Sequence, residues 1–238
     1  METILEIKGL RKSFVNYEGQ KIPTVDIQQF NLYKKEQVAI EGLSGSGKTT
    51  FLNLVAGILR PDEGQIFFEK EDVAILSESR RDLWRAQNIG YVFQTFNLLQ
   101  GYSALENVIL GMAFGKGIHK DFALALLKRV NLAKHIHSKP RQMSIGQQQR
   151  VAVARALANK PKLVLADEPT GNLDRTHARE TISLIQEVCA ENGAALLLVS
   201  HDHGVLGKLK RVIKMSDVNR AGLPVEAERE NNPVKAGA

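Results

Sequence analysis

The sequence has one cysteine, Cys189, so an intrachain disulfide is impossible. No apolar run approaches the roughly 18 residues that a membrane-spanning helix needs. The opening residues, Met1-Glu2-Thr3-Ile4-Leu5-Glu6-Ile7-Lys8, have neither a basic leader nor a continuous apolar stretch, so no secretory signal is expected. A cytoplasmic setting follows as the expectation. Aromatic residues are only 6% of the chain and rarely interleave with basic ones. A stacking platform for single-stranded nucleic acid therefore has little support, and no specific nucleic acid is expected as a partner. There is no internal repeat.

What is present suits one large α/β domain or two small ones. Hydrophobic residues make up 43% and charged residues 24% of 238, which is ordinary for a globular chain with an ample core. The net charge of +6 is spread over short clusters such as Lys34-Lys35, Arg80-Arg81 and Lys208, Lys210, Arg211. Such a surface also suits an anionic membrane face.

The most informative stretch is Gly42-Leu43-Ser44-Gly45-Ser46-Gly47-Lys48-Thr49, which reads G-x-x-x-x-G-K-T, a phosphate-binding P-loop. An apolar strand-like run, Val38 to Glu41, precedes it. A helical pattern from Thr50 to Gly57 follows. Strand, loop and helix in this order aim backbone N–H groups and the positive helix end at one anion. Lys48 would reach the β- and γ-phosphates, and the Thr49 hydroxyl would ligate Mg²⁺.

Around this motif the chain alternates strand and helix patterns. Residues 3–10 and 22–32 read as paired strands of an antiparallel β-subdomain. Strands are also expected at 65–68, 89–93, 163–166, 195–199 and 211–215, and helices at 78–87 and 175–191. From about 103 to 159 the pattern is helical, with breaks at 115–117 and 138–140. The strand runs near the P-loop are continuously apolar, as in strands buried on both faces. A helical subdomain, about 95–160, is thus inserted into an α/β core that spans 1–220. The tail, 221–238, is polar, without periodicity, and expected to be poorly ordered.

Two further stretches carry chemistry. Leu163-Val164-Leu165-Ala166 is an apolar strand that ends in Asp167-Glu168. A strand next to the P-loop strand would bring Asp167 to the metal and Glu168 to the γ-phosphate. Phosphoryl transfer needs that division: one carboxylate for the metal, one to orient water. Ser144-Ile145-Gly146-Gln147 opens a helix. Ser144 with Gln147 fits a capping box, and the same helix start could equally serve as a second anion site. His119, His135, His137, His177 and His203 show no metal-ligand pattern and are expected at the surface. Cys189 is expected to pack as a small apolar residue.

From about residue 3 to 215 the chain resembles the ATP-binding subunits of ABC transporters. Residues 42–49 resemble the Walker A motif and 163–168 Walker B. Gln94 looks like the Q-loop glutamine, and Ser144-Ile145-Gly146-Gln147 like the family signature Leu-Ser-Gly-Gly-Gln. Gly171-Asn172-Leu173-Asp174 looks like the D-loop, and His201 like the switch histidine. The fold implied is the ABC ATPase fold, α/β with a P-loop NTPase core, an N-terminal antiparallel subdomain and an inserted helical subdomain. The resemblance implies ATP hydrolysis with Mg²⁺ by two copies stacked head to tail. Gly42, Ser44, Gly45, Ser46, Gly47, Lys48, Thr49 and Thr50 would hold the phosphates. Ser144, Gly146 and Gln147 would meet them from the other copy, with Asp174 in the D-loop. Glu168 would be the base, His201 would steady the γ-phosphate, and Gln94 would sense metal and water. Phe14 stands where the family has an aromatic beneath adenine, although a core position is the simpler reading of a phenylalanine.

The signature departs from the family at Ile145, which replaces a glycine. A β-branched residue is costly at positive φ but harmless in the first turn of a helix, the arrangement expected here. Gly90 to Leu99, Ser103 to Val108, Gln147 to Arg150 and Thr170 to Asp174 resemble the lipoprotein-release and macrolide-export group, and the related cell-division ATPases. That group implies a separately encoded integral membrane permease, and a peripheral location on the inner face of the cell membrane. Phe96, Leu98, Leu99 and Tyr102 would form a docking surface for it, or else belong to the helical core. A soluble ABC ATPase acting on nucleic acid or ribosomes is the alternative.

Overall fold

The structure, a computed structural model, describes residues 2–221. The expected polar tail, beyond Ala221, lies outside them. In chain order the elements are β1 (Thr3–Val15), β2 (Lys21–Tyr33), β3 (Gln37–Glu41), α1 (Lys48–Val55), β4 (Glu63–Phe68), β5 (Glu71–Asp72), α2 (Glu78–Asn88) and β6 (Ile89–Val92). Then come α3 (Ala104–Met112), α4 (Lys120–Arg129), α5 (Ile145–Ala156), β7 (Leu163–Asp167), α6 (Arg175–Glu191), β8 (Ala195–Ser200), α7 (His203–Leu206), β9 (Arg211–Lys214) and α8 (Met215–Val218).

The strands form two sheets. The antiparallel one has the order β2-β1-β4-β5, and the parallel one β6-β7-β8-β3-β9. Side chains alternate across each parallel strand. Val38, Ile40, Leu163, Leu165, Leu197 and Val199 join the core shared with the antiparallel sheet. Ala39, Val164, Ala166, Leu196 and Leu198 join the core shared with α3, α4, α5 and α6. Burial on both faces explains why these strands read as unbroken apolar runs.

Helix α1 docks through Phe51, Leu52, Leu54 and Val55, all buried. Phe51 meets Phe30 of β2 edge to face, with centroids 5.4 Å apart. Burying one such side chain contributes about 1.5–3 kcal/mol, so the start of α1 is held firmly against the sheets. The helical insert separates into α3, α4 and α5. Ser103 caps α3: its Oγ accepts from the Glu106 amide at 3.3 Å, and the Glu106 carboxylate accepts from the Ser103 amide at 2.7 Å. Buried Asn107 then pins the preceding loop through the amide and carbonyl of Leu99 and the carbonyl of Tyr102.

The strand order corrects one expectation. The strand ending in Asp167 is not beside the P-loop strand, because β8 lies between β7 and β3. Asp167 still reaches the P-loop, because α1 leaves β3 and packs against β7. Among the described residues no helix is long and apolar enough to cross a membrane.

Candidate nucleotide site

The loop between β3 and α1 turns through Gly45 (φ +81°) and Gly47 (φ +93°), conformations that side chains rarely adopt. Gly47 is also pressed against β2: a Cβ there would lie 2.6 Å from the Thr24 carbonyl oxygen. The loop curls around Lys48, which is 7% exposed. Lys48 Nζ donates to the carbonyls of Gly42 (2.6 Å) and Leu43 (2.9 Å) and lies 3.5 Å from Glu168 Oε1.

The acidic pair ends β7. Asp167 Oδ1 accepts from Thr49 Oγ1 at 3.1 Å. Burial pushes the Asp167 carboxyl above its ordinary pKa, with the Thr49 bond opposing and the Glu168 charge reinforcing the shift. Burial likewise raises the phenol pKa of neighbouring Tyr91, aided by the Asp167 charge. Glu168 turns out of the strand at φ +43°, a strained backbone for a non-glycine residue. The turn aims its carboxylate between three groups. Oε2 accepts from Ser200 Oγ at 3.2 Å, while Oε1 faces His201 Nδ1 at 2.8 Å and the Lys48 ammonium. The imidazole of His201 remains open to solvent. Because β8 is the strand between, Ser200 and His201 arrive between loop and carboxylates without any detour.

Together these residues line a cleft of about 300 Å³: Ser44, Gly45, Gly47, Lys48, Thr49 and Thr50, with Gln94, Glu168 and His201 opposite. Thr24 of β2 completes the wall. Gly42 and Ser46 face a neighbouring cavity of about 470 Å³, which His201 also borders. Phe14 stands outside the cleft, near the end of β1 opposite Ile22, and is 42% exposed. That exposure removes the core reading of this residue.

The signature residues are on a different surface, and none lines the cleft. Ser144 Oγ accepts from the Gln147 amide at 3.2 Å, and Gln147 Oε1 accepts from the Ser144 amide at 3.0 Å, so the capping box forms. Gln147 Nε2 lies 3.1 Å from His135 Nε2, so His135 is half-buried in this contact and not a free surface group. Ile145 occupies the first turn of α5, without positive φ and half exposed. Asp174 caps α6, accepting from the amides of His177 and Thr176, and the His177 amide and side chain, more than Thr176, hold its carboxyl below the usual range. A Cβ on Gly146 would come within 3.9 Å of His177, so the signature and the start of α6 adjoin.

Two contacts have no sequence signal. Asn172 donates its side-chain N–H to the Gln94 carbonyl at 3.0 Å, tying two loops 78 positions apart. Thr24 enters from a strand in the other sheet. Asn172 lies in the D-loop-like stretch, but nothing there points to Gln94, and Thr24 belongs to no motif, so only the fold reveals these contacts.

Thr49 and Gln94 line the cleft, and Asp167, buried behind Thr49, accepts the Thr49 hydroxyl bond without itself lining the wall. Among the described residues no cluster of three or more His, Cys, Asp or Glu could hold a metal by itself. Few hard oxygen ligands suit Mg²⁺, which keeps waters and takes phosphate oxygens for the remainder. The residues fit that ion.

A phosphate loop on a parallel sheet, an acidic pair at a strand end and a histidine just past the end of the strand between define a P-loop ATPase. The ABC transporter family profile matches residues 25–171. The chain is 40% identical over 222 residues to the lipoprotein-releasing system ATP-binding protein LolD of Shewanella frigidimarina, covering 91% of each. It is 39% identical over 219 residues to the macrolide export ATP-binding/permease protein MacB of Syntrophobacter fumaroxidans, covering 90% of this chain but only 30% of that protein. A dimeric structure of a bacterial ABC transporter cassette superposes with a TM-score of 0.81 at 36% identity, covering 88% of this chain and 93% of that one. A post-hydrolysis form of that cassette bound to ADP and phosphate superposes equally well, at 35% identity. The chain belongs to the ABC transporter family, as an ATP-binding cassette.

Proposed function

We propose that this cassette hydrolyses ATP as the motor of a membrane transporter, driving export or extraction of a substrate through an integral membrane permease. One domain over 1–220 does this work, with the helical subdomain at about 95–160 and the tail at 221–238 outside it. The observation that carries the reading is the meeting of Lys48, Thr49, Asp167, Glu168 and His201 around one cleft, within 2.6–3.5 Å of their partners.

On ATP entry Lys48 leaves the Gly42 and Leu43 carbonyls for the β- and γ-phosphates. The loop amides from Gly45 to Thr50 cradle the remaining oxygens. Thr49, Asp167 and Gln94 would hold Mg²⁺, which would supply neutralisation of charge on the transferred phosphoryl group. Glu168 accepts the proton of the attacking water, a task worth about 10²–10⁴ in rate. Ser200 and His201 hold its carboxylate in line. Phe14, exposed on β1, stacks beneath adenine. Closure needs a second copy, head to tail, whose Ser144, Gly146 and Gln147 reach the γ-phosphate, with Asp174 at the junction. A similar ABC transporter cassette solved as a dimer supports that assembly, and relatives named as a lipoprotein-releasing ATP-binding protein and a macrolide export ATP-binding/permease protein support a membrane partner. A seat at the inner face of the cell membrane goes with that partner.

The permease surface is narrower than the sequence suggests. Leu98 is buried in the helical core, and Phe96 is partly buried against it. Leu99 and Tyr102 remain about half exposed and available.

The test is phosphate release by the purified chain with Mg²⁺ and with EDTA, beside Lys48→Ala. Hydrolysis should require both the metal and Lys48. A rate indifferent to either would sink the assignment.

A further inference from the structure

The proposed nucleotide site draws on two sheets. The phosphate loop leaves the parallel sheet and meets Thr24 of the antiparallel one in the cleft, while Phe14 stands outside the cleft on that second sheet. Asn219, just after α8, lies at this seam and is 6% exposed. Its side-chain NH₂ donates to the Thr24 carbonyl of β2 at 3.0 Å and to the Ser46 carbonyl of the phosphate loop at 3.1 Å. Its Oδ1 accepts from the Asp26 amide at 2.8 Å and the Ala221 amide at 3.2 Å. The Arg220 amide adds a bond to the Asp26 carbonyl at 2.8 Å. A single amide group therefore spans three chain segments with both donors and its acceptor used.

The sequence of β2 prepares the seam. Along the β1–β2 ladder Lys12 pairs with Val25 but Ser13 pairs with Pro23, so Thr24 is an extra residue in a bulge. β2 is also an edge strand. The carbonyl of Thr24 is thus turned from the ladder toward the loop, where it closes on Gly47. Two residues before Thr24 is Ile22, the partner of Phe14.

We infer that Asn219 is a positioning residue that sets the phosphate loop in register with the Phe14 platform, and so governs ligands that span both. This rests on the proposed roles of the loop and of Phe14. Asn219 touches no reacting atom. It acts on affinity for a whole nucleotide, leaving affinity for an isolated phosphate group alone.

The experiment is calorimetric titration of the full chain with ADP and with inorganic pyrophosphate, both with Mg²⁺, for the wild type, Asn219→Ala, Phe14→Ala and the double variant. Thermal denaturation checks folding. Asn219→Ala should weaken ADP on the order of tenfold, the scale of one lost hydrogen-bonded contact, and leave pyrophosphate within about twofold. In the Phe14→Ala background it should add little, because the platform it positions is gone. Equal losses for ADP and pyrophosphate would overturn the inference and leave Asn219 as support for the loop alone. Losses that multiply in the double variant would overturn it too. Phe14→Ala without effect on ADP would remove the platform reading instead, while the ADP-to-pyrophosphate contrast still decides the role of Asn219. Should the alanine variant not fold, Asn219→Ser keeps a hydroxyl against the two carbonyls and carries the same comparison.

Discussion

Glu168→Gln isolates the chemical step from binding. The carboxylate is buried, 8% exposed, and its oxygens are committed to Ser200 Oγ at 3.2 Å and His201 Nδ1 at 2.8 Å, with Lys48 at 3.5 Å. Glutamine has the same shape, retains one acceptor oxygen, and cannot take a proton from water. The loss should therefore be that of a general base, about 10²–10⁴ in rate. At about 1.4 kcal/mol per tenfold, that is roughly 2.7–5.5 kcal/mol on the barrier. Nucleotide binding should persist, because the loop amides, Lys48 and Thr49 are untouched. ATP then has no exit by hydrolysis, and the closed pair of cassettes should accumulate. Phosphate release gives the rate, and size exclusion with ATP and Mg²⁺ gives the dimer. Ile145→Gly in the same background tests the signature. Because Ile145 begins a helix turn without positive φ, dimer formation should not depend on this change. Hydrolysis by Glu168→Gln within fivefold of wild type would refute the assignment of the base. A dimer that appears only with Ile145→Gly would refute the argument from helix geometry.

Asp167→Asn should raise the melting temperature at pH 7.5 while abolishing Mg²⁺-dependent hydrolysis. The folded pKa of Asp167 is raised by burial, so its ionised form costs stability above that pKa and the cost vanishes as pH falls below the unfolded value. The gain, about 2–4 °C per kcal/mol relieved, should shrink toward pH 4, and scanning calorimetry at both pH values reads it. Phe14→Ala should weaken ATP by the 1–3 kcal/mol or so of a base–aromatic stack, seen by fluorescent-nucleotide titration, with little change in melting. Cys189, fully buried with its thiol pushed up to about 12, should resist a disulfide reagent at pH 8 and react fully in guanidinium. Rapid labelling of the native chain would contradict its burial.

The parts of the site that lie along a single stretch were legible. Gly42 to Thr49 announces itself because a phosphate loop must be contiguous, and the apolar run before Asp167 marks a strand buried on both faces. Signals that depend on pairing across the chain were not. Nothing in Ala195 to Ser200 says that this strand inserts between β7 and β3. Nothing local marks Asn172 for Gln94, Thr24 for the cleft wall or Asn219 for the loop, since each bond joins positions 78 to 195 apart or crosses sheets. Ser144 and Gln147 read as a cap and are one; the second role proposed for them needs another molecule, so a single chain cannot display it.

The contact of Lys48 with Glu168 bears on the interval between turnovers. An ammonium and a carboxylate this deeply enclosed would be expensive to leave bare once phosphates depart. Each instead shelters the other, and the Gly42 and Leu43 carbonyls take up the remaining ammonium protons. Under the role proposed for Lys48, product dissociation would then be an exchange of partners and not an abandonment of charge. The next ATP would have to win Lys48 from Glu168 and the two carbonyls. Reset and loading are thereby linked through one side chain, and a variant that speeds one should slow the other.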